Sequence, residues 1–150
     1  MALCVRKCWF SPKTCVEKCK HLTISCVEKC KAMKRKIYKE LVDWKNREQH
    51  KPLILNGVRQ CGKTYILKEF GRNEFDNLAY ISCDRNESLH AIYAGDFDTA
   101  RIIRGLSALT GVDIIPGKTL IFLDEVQAFP QALEALKYFC EDAPEYHIVV

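Results

Sequence analysis

The sequence lacks a long apolar run, and no uninterrupted hydrophobic stretch among its 150 residues reaches 18. A helix that crosses a bilayer needs about 20 mostly apolar residues, so no membrane-spanning helix is predicted. The N-terminus is basic but has no continuous apolar segment, and it therefore lacks the pattern of a secretory signal peptide. With 48% hydrophobic and 28% charged residues, the chain is apolar enough to fold as one domain with its own core.

An excess of positive charge is also missing from most of the chain, although the formal net charge is +4. Residues 1–36 carry ten Lys or Arg and two Glu, whereas residues 37–150 carry thirteen basic and seventeen acidic residues. The net charge is therefore +8 in the first part and −4 in the second. Because nucleic-acid-binding domains usually present a basic surface, the charge of 37–150 does not support nucleic acid as a partner.

Cysteine is scarce after the first 30 residues, which contain six of the nine cysteines. The other three, Cys61, Cys83 and Cys140, are scattered along the chain. Scattered cysteines of this kind are typical of a reducing compartment, so a cytoplasmic location is predicted.

The first 32 residues contain a repeat, C-x-x-x-C, at Cys4–Cys8, Cys15–Cys19 and Cys26–Cys30. Three interpretations are open: a small metal-binding or redox appendage, a disordered basic tail, or a segment that is not natural protein because translation starts at Met33. The spacing differs from the C-x₂-C of familiar zinc sites, and no pair of histidines follows. The last two interpretations are therefore favoured over a metal site.

The most informative stretch runs from Gly57 to Thr64 and fits the Walker A pattern G-x-x-x-x-G-K-[ST]. An apolar run at 52–55 precedes it and a helical pattern at 65–70 follows, which predicts a strand, a tight phosphate-binding loop and a helix N-terminus. The loop amides and the helix dipole suit a chain of phosphates. Lys63 can reach the β- and γ-phosphates, and the Thr64 hydroxyl can bind Mg²⁺. The candidate nucleotide-binding residues are Gly57, Val58, Arg59, Gln60, Cys61, Gly62, Lys63 and Thr64.

A second motif lies at 119–125, where an apolar strand pattern ends in Asp124 and Glu125. This is the Walker B arrangement, in which a buried strand brings the first carboxylate to the Mg²⁺ shell. The second carboxylate can polarise the attacking water as a general base. Glu125 and Lys63 are therefore the candidate catalytic residues, and Thr64 and Asp124 are the candidate Mg²⁺ ligands.

Strand and helix patterns alternate through the rest of the chain, which predicts an α/β fold with a parallel sheet covered on both faces. Ile37, Leu41 and Trp44 share one helix face, and core packing is a better explanation for it than contact with an adenine base. We expect residues 45–51 to form a polar link outside the core, and His147 to be a strand-edge residue without chemistry. Strands are predicted near 52–56, 78–82, 119–125 and 147–150, and helices near 37–44, 62–70, 86–94, 98–109 and 130–141.

The chain ends inside the apolar pattern at 147–150. A free carboxylate there is a poor end for a buried strand, so we expect the natural domain to continue beyond Val150 and the fold to be incomplete here.

The loop Gly57–Thr64 resembles the G-x-R-Q-x-G-K-T loop of a prokaryotic family of AAA-type P-loop ATPases that carry a C-terminal domain of unknown function. The segment Leu123–Gln127 resembles its L-D-E-I-Q, and Ala132–His147 resembles its next helix and turn. The resemblance covers about residues 33–150 and implies a P-loop NTPase three-layer sandwich truncated after its fourth core strand. The chain would then consist of a Cys-rich tail, 1–32, and an ATPase domain, 33–150.

The resemblance also implies ATP and Mg²⁺ as ligands, with Lys63 and Thr64 at phosphate and metal, Asp124 at the metal and Glu125 at the water. The preference for ATP over GTP rests on the resemblance alone. Arg59 has two open roles, contact with a γ-phosphate or a neighbouring subunit, and surface packing. A polar sensor residue, the last strand and the helical lid of the family are missing here, so we expect ATP binding with little or no turnover. The alternative function is a nucleotide-gated interaction module that recruits a protein partner or a second copy.

Overall fold

The computed structural model describes residues 36–57 and 60–150. The Cys-rich repeat of 1–32 lies outside the described residues, and so do Val58 and Arg59 of the phosphate loop.

A parallel sheet forms the middle of the fold. Its strands are β1 (Asn77–Ser82), β2 (Thr119–Asp124) and β3 (His147–Val149), in the spatial order β1-β2-β3. The central strand, β2, is buried from Thr119 to Leu123, and only its last residue, Asp124, is partly accessible. This long apolar pattern is typical of a parallel strand that is covered on both faces.

The apolar run at 52–55, here called the leading segment, lies beside β3 and parallel to it. The Leu53 N–H donates to the Ile148 carbonyl at 2.9 Å, and the Leu55 N–H donates to the Val150 carbonyl at 2.8 Å. The strand predicted near 52–56 is thus present only as an isolated bridge between Leu53 and Val149, at the side of β3 away from β2. Consequently two strands, β2 and β3, separate β1 from the point where the phosphate loop leaves the sheet.

In the described ranges, five helices connect and cover these strands. They are α1 (36–45), α2 (Lys63–Glu74), α3 (Glu87–Ile92), α4 (Thr99–Thr110) and α5 (Pro130–Asp142). Helix α4 begins after Asp98, whose carboxylate accepts the Ala100 N–H at 3.1 Å, and it ends at Gly111 with φ 67°. Helix α5 begins with a proline, which has no N–H to lose at a first helical position.

Two apolar layers hold the helices against the sheet. On one face, α1 and α2 contribute Trp44 and Phe70, which belong to the same buried cluster as Phe122 of β2. On the other face, α3, α4 and α5 cover Ile121 and Leu123. Successive residues of β2 point to opposite faces, so one apolar strand supplies both layers. The predicted α/β arrangement, a parallel sheet between two helical layers, is confirmed.

Residues 45–51 and the start of β3 differ from expectation. His50 is only 9% exposed and His147 only 6%, and their rings lie against each other, tilted by 33°, with centroids 3.8 Å apart. Trp44 packs against both rings, and its Nε1–H donates to the Lys51 carbonyl at 2.8 Å. The prediction of a polar link outside the core was therefore wrong for His50, and the prediction of an edge position was wrong for His147. Both imidazoles belong to the packing that joins α1 to the sheet.

Within the described ranges, no helix is both long and apolar enough to cross a membrane.

Candidate functional site

The phosphate loop is compact where the structure describes it. Gln60 and Gly62 have φ values of 61° and 88°, in the left-handed region that a side chain disfavours. Gly62 directly precedes α2, and its lack of a Cβ lets the chain turn into the helix without strain. A Cβ on Gly57 would lie 3.2 Å from the Cys61 Sγ, so the two ends of the loop approach closely. The glycines of the motif therefore stand where the backbone geometry requires them.

The N-terminus of α2 opens toward this loop. Gly62 provides no side-chain cap, and the first turn of α2 contains no acidic residue. The first amides of a helix have no partner within the helix, and its dipole places partial positive charge there. This end of α2 is thus suited to an anion such as a phosphate.

The Lys63 side chain folds back over the loop. Its ammonium Nζ donates to the Gly57 carbonyl at 2.8 Å and lies 3.9 Å from the Cys61 Sγ. A flexible cation held by a carbonyl can exchange that carbonyl for a phosphate oxygen, because the phosphate carries a full negative charge. The structure therefore places the ammonium within the loop.

Thr64 and Asp124 meet although they are 60 residues apart in the sequence. The Thr64 hydroxyl donates to the Asp124 Oδ2 at 3.0 Å, which joins the first turn of α2 to the end of β2. The other carboxylate oxygen, Oδ1, accepts the N–H of Glu125 at 3.1 Å. Two hard oxygen donors side by side match the ligand preference of Mg²⁺, which usually takes one or two carboxylates plus substrate phosphates.

The Thr64 and Asp124 pair differs from a metal site that is built from protein side chains alone. In the described part of the chain, no group of three or more His, Cys, Asp or Glu side chains could hold a metal ion. The Thr64 and Asp124 pair fits Mg²⁺ only together with phosphate oxygens, which is the usual way that this ion is held in nucleotide sites.

Glu125 occupies a strained backbone position just after β2. Its φ of 54° is in the left-handed region, where a non-glycine residue is uncommon. Its carboxylate accepts a hydrogen bond from the Gln127 amide, which lies in the short 3₁₀ turn Val126–Ala128. Strain of this kind costs on the order of 1–3 kcal/mol and is concentrated at functional sites. The turn exposes Glu125 beside the buried end of the central strand.

Tyr80 is a residue of this site that sequence reasoning missed. Its hydroxyl donates to the Asp124 Oδ2 at 3.1 Å, the same oxygen that receives the Thr64 hydroxyl. Burial, followed by the charge of Asp124, raises the pKa of Tyr80. One signal for it was present in the sequence. Parallel strands end at the same edge of a sheet, so a polar residue near the end of β1 was a candidate neighbour of Asp124.

An open cavity of about 660 Å³ lies beside Tyr80. It is lined by the end of β1, the polar loop that contains Asp84 and Arg85, and the last turn of α4. The lining does not include the phosphate loop, so this cavity is next to the candidate site and is not the phosphate position itself.

Of the eight loop candidates, six lie in the described residues, and Val58 and Arg59 do not. The structure brings Lys63 against the loop backbone, Thr64 against Asp124, and the Glu125 amide against the same carboxylate. The loop, the helix N-terminus and the end of β2 therefore form one continuous site.

Comparisons with known proteins give one finding. The sequence model of a protein family described as an AAA domain matches residues 49–150. Neither the curated proteins nor the solved structures contain a match to this chain. The family match covers about two thirds of the chain and includes the phosphate loop, the three strands of the described residues and the helices between them. The sequence had suggested an AAA-type family, and on this match the chain belongs to the family of AAA domains.

Proposed function

We propose that this chain binds ATP together with Mg²⁺ and that its AAA domain carries the residues for hydrolysis of ATP by attack of water on the γ-phosphate, with little turnover expected from the chain as it stands. The observation that carries the proposal is the hydrogen bond of 3.0 Å between the Thr64 hydroxyl and the Asp124 carboxylate. This hydrogen bond joins Thr64, at the start of α2, to Asp124, at the end of β2. Membership in the AAA domain family supports nucleotide binding, and the choice of ATP over GTP rests on the narrower resemblance to prokaryotic AAA-type ATPases.

In this proposal the phosphates bind at the N-terminus of α2. The loop amides and the end of the helix hold the anion. The Lys63 ammonium leaves the Gly57 carbonyl and donates its hydrogen bond to a phosphate oxygen instead. Thr64 and Asp124 hold the metal, which when bound withdraws negative charge from the phosphate oxygens. Val58 and Arg59 complete the loop by their place in the motif.

Glu125 acts as the general base. It follows Asp124 directly, and the left-handed turn exposes its carboxylate at the end of the sheet. There it takes a proton from the attacking water. A carboxylate does this well when it is close to the water and held in a fixed orientation, and the Gln127 amide supplies part of that orientation.

The alternative function is a nucleotide-gated interaction module that binds ATP without productive hydrolysis. One observation favours it: the Glu125 carboxylate is already engaged by Gln127, so it must leave or share this bond to act on a water. In this case ATP binding would order the loops around the site and recruit a protein partner or a second copy of the chain.

A cytoplasmic location is part of the proposal. Cys61, Cys83 and Cys140 are free thiols in the described part of the chain, which supports a reducing compartment.

The test is a titration of the full chain with a fluorescent ATP analogue, with and without Mg²⁺, followed by measurement of phosphate release. We expect saturable binding that Mg²⁺ strengthens. Lys63→Ala should abolish binding, whereas Lys137→Ala, an exposed lysine on α5, should leave it unchanged. Full binding by Lys63→Ala would contradict the proposed site.

Turnover separates the two functions. Glu125→Gln should keep nucleotide affinity and lose phosphate release if the domain is an ATPase. Phosphate release by the unaltered chain that does not exceed the Glu125→Gln background would favour the interaction module.

A further inference from the structure

Tyr80 occupies a position to which the proposed function assigns no role. Its hydroxyl and that of Thr64 donate to one oxygen of Asp124, and the Glu125 amide donates to the other. The carboxylate is thus held from three directions, by α2, by β1 and by its own following residue. A carboxylate with donors on both oxygens cannot rotate freely about its side-chain bonds.

The register of the sheet explains how Tyr80 reaches this oxygen. Tyr80 pairs with Phe122, and Ser82 pairs with Asp124, so the tyrosine lies one diagonal step from the carboxylate on the same face. A diagonal neighbour is within reach of an aromatic side chain but not of a short one. A serine or threonine at position 80 would therefore not reach the carboxylate.

The Tyr80 ring is itself fixed from two sides. The Phe122 ring packs edge-on against it with centroids 5.4 Å apart, and the Lys68 ammonium lies 3.3 Å from the ring centroid. Lys68 is four residues after Thr64, so both side chains project from the same face of α2. One helix face therefore contacts Asp124 directly through Thr64, and indirectly through Lys68 and Tyr80.

Tyr80 also remains a donor at neutral pH. A phenol ordinarily titrates near pH 10, so a tyrosine hydroxyl carries its proton at neutral pH. A group that only filled space against α2 would need no hydroxyl, and phenylalanine would serve as well.

We infer that Tyr80 is a positioning residue, which orients Asp124 toward the Mg²⁺ of a bound nucleotide; this inference rests on the proposed function. Groups that hold a metal ligand in place commonly change metal affinity by 10- to 100-fold when they are removed. The hydroxyl of Tyr80 is one of two donors on its oxygen, so the lower end of that range applies.

The test compares Tyr80→Phe with Tyr38→Phe in the full chain. Tyr38 makes a matched control because its hydroxyl also donates to a carboxylate, the Glu74 Oε1 at 2.9 Å, at the opposite end of α2. A fluorescent ATP analogue is bound at fixed concentration, and Mg²⁺ is titrated from an EDTA-treated sample.

For Tyr80→Phe, we expect the Mg²⁺ concentration at half-maximal enhancement to rise about tenfold, with little change in nucleotide affinity in EDTA. Tyr38→Phe should match the unaltered chain in both. Lys68→Met, which keeps the hydroxyl and removes the cation from the ring, should give a smaller shift of about threefold.

Each other result overturns the inference in a recognisable way. If the unaltered chain shows Mg²⁺-enhanced binding and Tyr80→Phe has the same Mg²⁺ midpoint, the positioning role fails and the proposed function stands. If Tyr80→Phe weakens binding equally in EDTA and in Mg²⁺, the hydroxyl has only a structural role. If the unaltered chain shows no Mg²⁺ enhancement, the proposed function fails and this inference fails with it. Tyr80→Phe that melts far below Tyr38→Phe would also indicate a structural role, and Lys68→Met then provides the independent comparison.

Discussion

Acidification should loosen the contact between α1 and the sheet through the adjoining rings of His50 and His147. Both rings are buried, with centroids 3.8 Å apart, and the His147 Nε2–H donates to the Lys45 carbonyl at 3.2 Å. Within the described residues, the Nδ1 atoms of both rings have no hydrogen-bond partner. A proton added to either ring would therefore be buried beside a second imidazole.

The charged groups around the two histidines do not offset the cost of placing a buried positive charge on either ring. Burial, followed by the charge of the neighbouring His50, lowers the pKa of His147 to about 4; within that value, the hydrogen bond to the Lys45 carbonyl acts in the opposite direction and the Lys45 ammonium in the same direction. Burial also lowers the pKa of His50. Glu74 carries an opposing charge, and it pairs with Lys45, with Nζ and Oε2 4.0 Å apart.

The sign of the effect follows from which state binds more protons. In the unfolded chain the pKa of histidine is about 6.5, so between about pH 6.5 and 4 the unfolded state takes up a proton that folded His147 does not. The contribution is therefore fully present above about pH 6.5 and is lost as the pH falls toward 4. A difference of this size corresponds to about 3 kcal/mol, of which about 2 kcal/mol is lost by about pH 5. His50 adds to the loss with the same sign.

Urea unfolding followed by Trp44 fluorescence measures this directly, in a Trp9→Phe background that leaves one tryptophan. Trp44 touches both imidazoles, with ring centroids at 5.7 and 5.5 Å, so its emission reports on the pair. The test variant is His147→Gln, which can still donate to the Lys45 carbonyl but does not titrate. The control is His90→Gln, at an exposed position that contacts the Phe129 ring.

Between about pH 7.5 and 5, the free energy of unfolding should fall by about 2 kcal/mol more in the control than in His147→Gln. Carboxylates that titrate in the same interval cancel in this difference. The same pH dependence in both proteins would refute the reasoning, because the loss would then come from groups other than His147.

Three further predictions concern backbone positions. Gly62→Ala should weaken binding of the ATP analogue by more than about tenfold, because a φ of 88° strains any side chain. The control is Gly95→Ala, at φ 87°, which should lower stability by an amount similar to Gly62→Ala and leave binding intact. Gly105→Ala should lower the unfolding free energy by about 1 kcal/mol, since its Cβ would meet two Ile92 carbons at 2.9 Å and this clash outweighs the better helix propensity. Asp98→Ala should cost about 1 kcal/mol in urea unfolding by removing the α4 cap, and Asp98→Asn should restore most of it.

Much of the fold was accessible from the sequence because it depends on local patterns. The four apolar residues that precede Asp124 predicted a buried strand, and the helix end predicted near 109 and the helix start predicted near 130 lie within one residue of those in the structure. The phosphate loop was equally readable, since its glycines, Lys63 and Thr64 act through spacing within eight residues. In each case, neighbouring residues in the chain decide the geometry.

The features that the sequence did not reveal depend on pairing between distant segments. Tyr80 reaches Asp124 only because β1 and β2 align Ser82 with that carboxylate, and a shift of one residue would turn the tyrosine to the opposite face. His147 is buried only because the chain before the leading segment brings His50 and Trp44 over the start of β3. Neither partner is close in sequence, so no periodicity marks either contact.

Both contacts adjoin α2 or its covering helix α1, on the sheet face that carries Thr64. The helix layer that supports the phosphate loop is therefore fixed at one end by a tyrosine on the candidate metal ligand and at the other by a pair of neutral imidazoles.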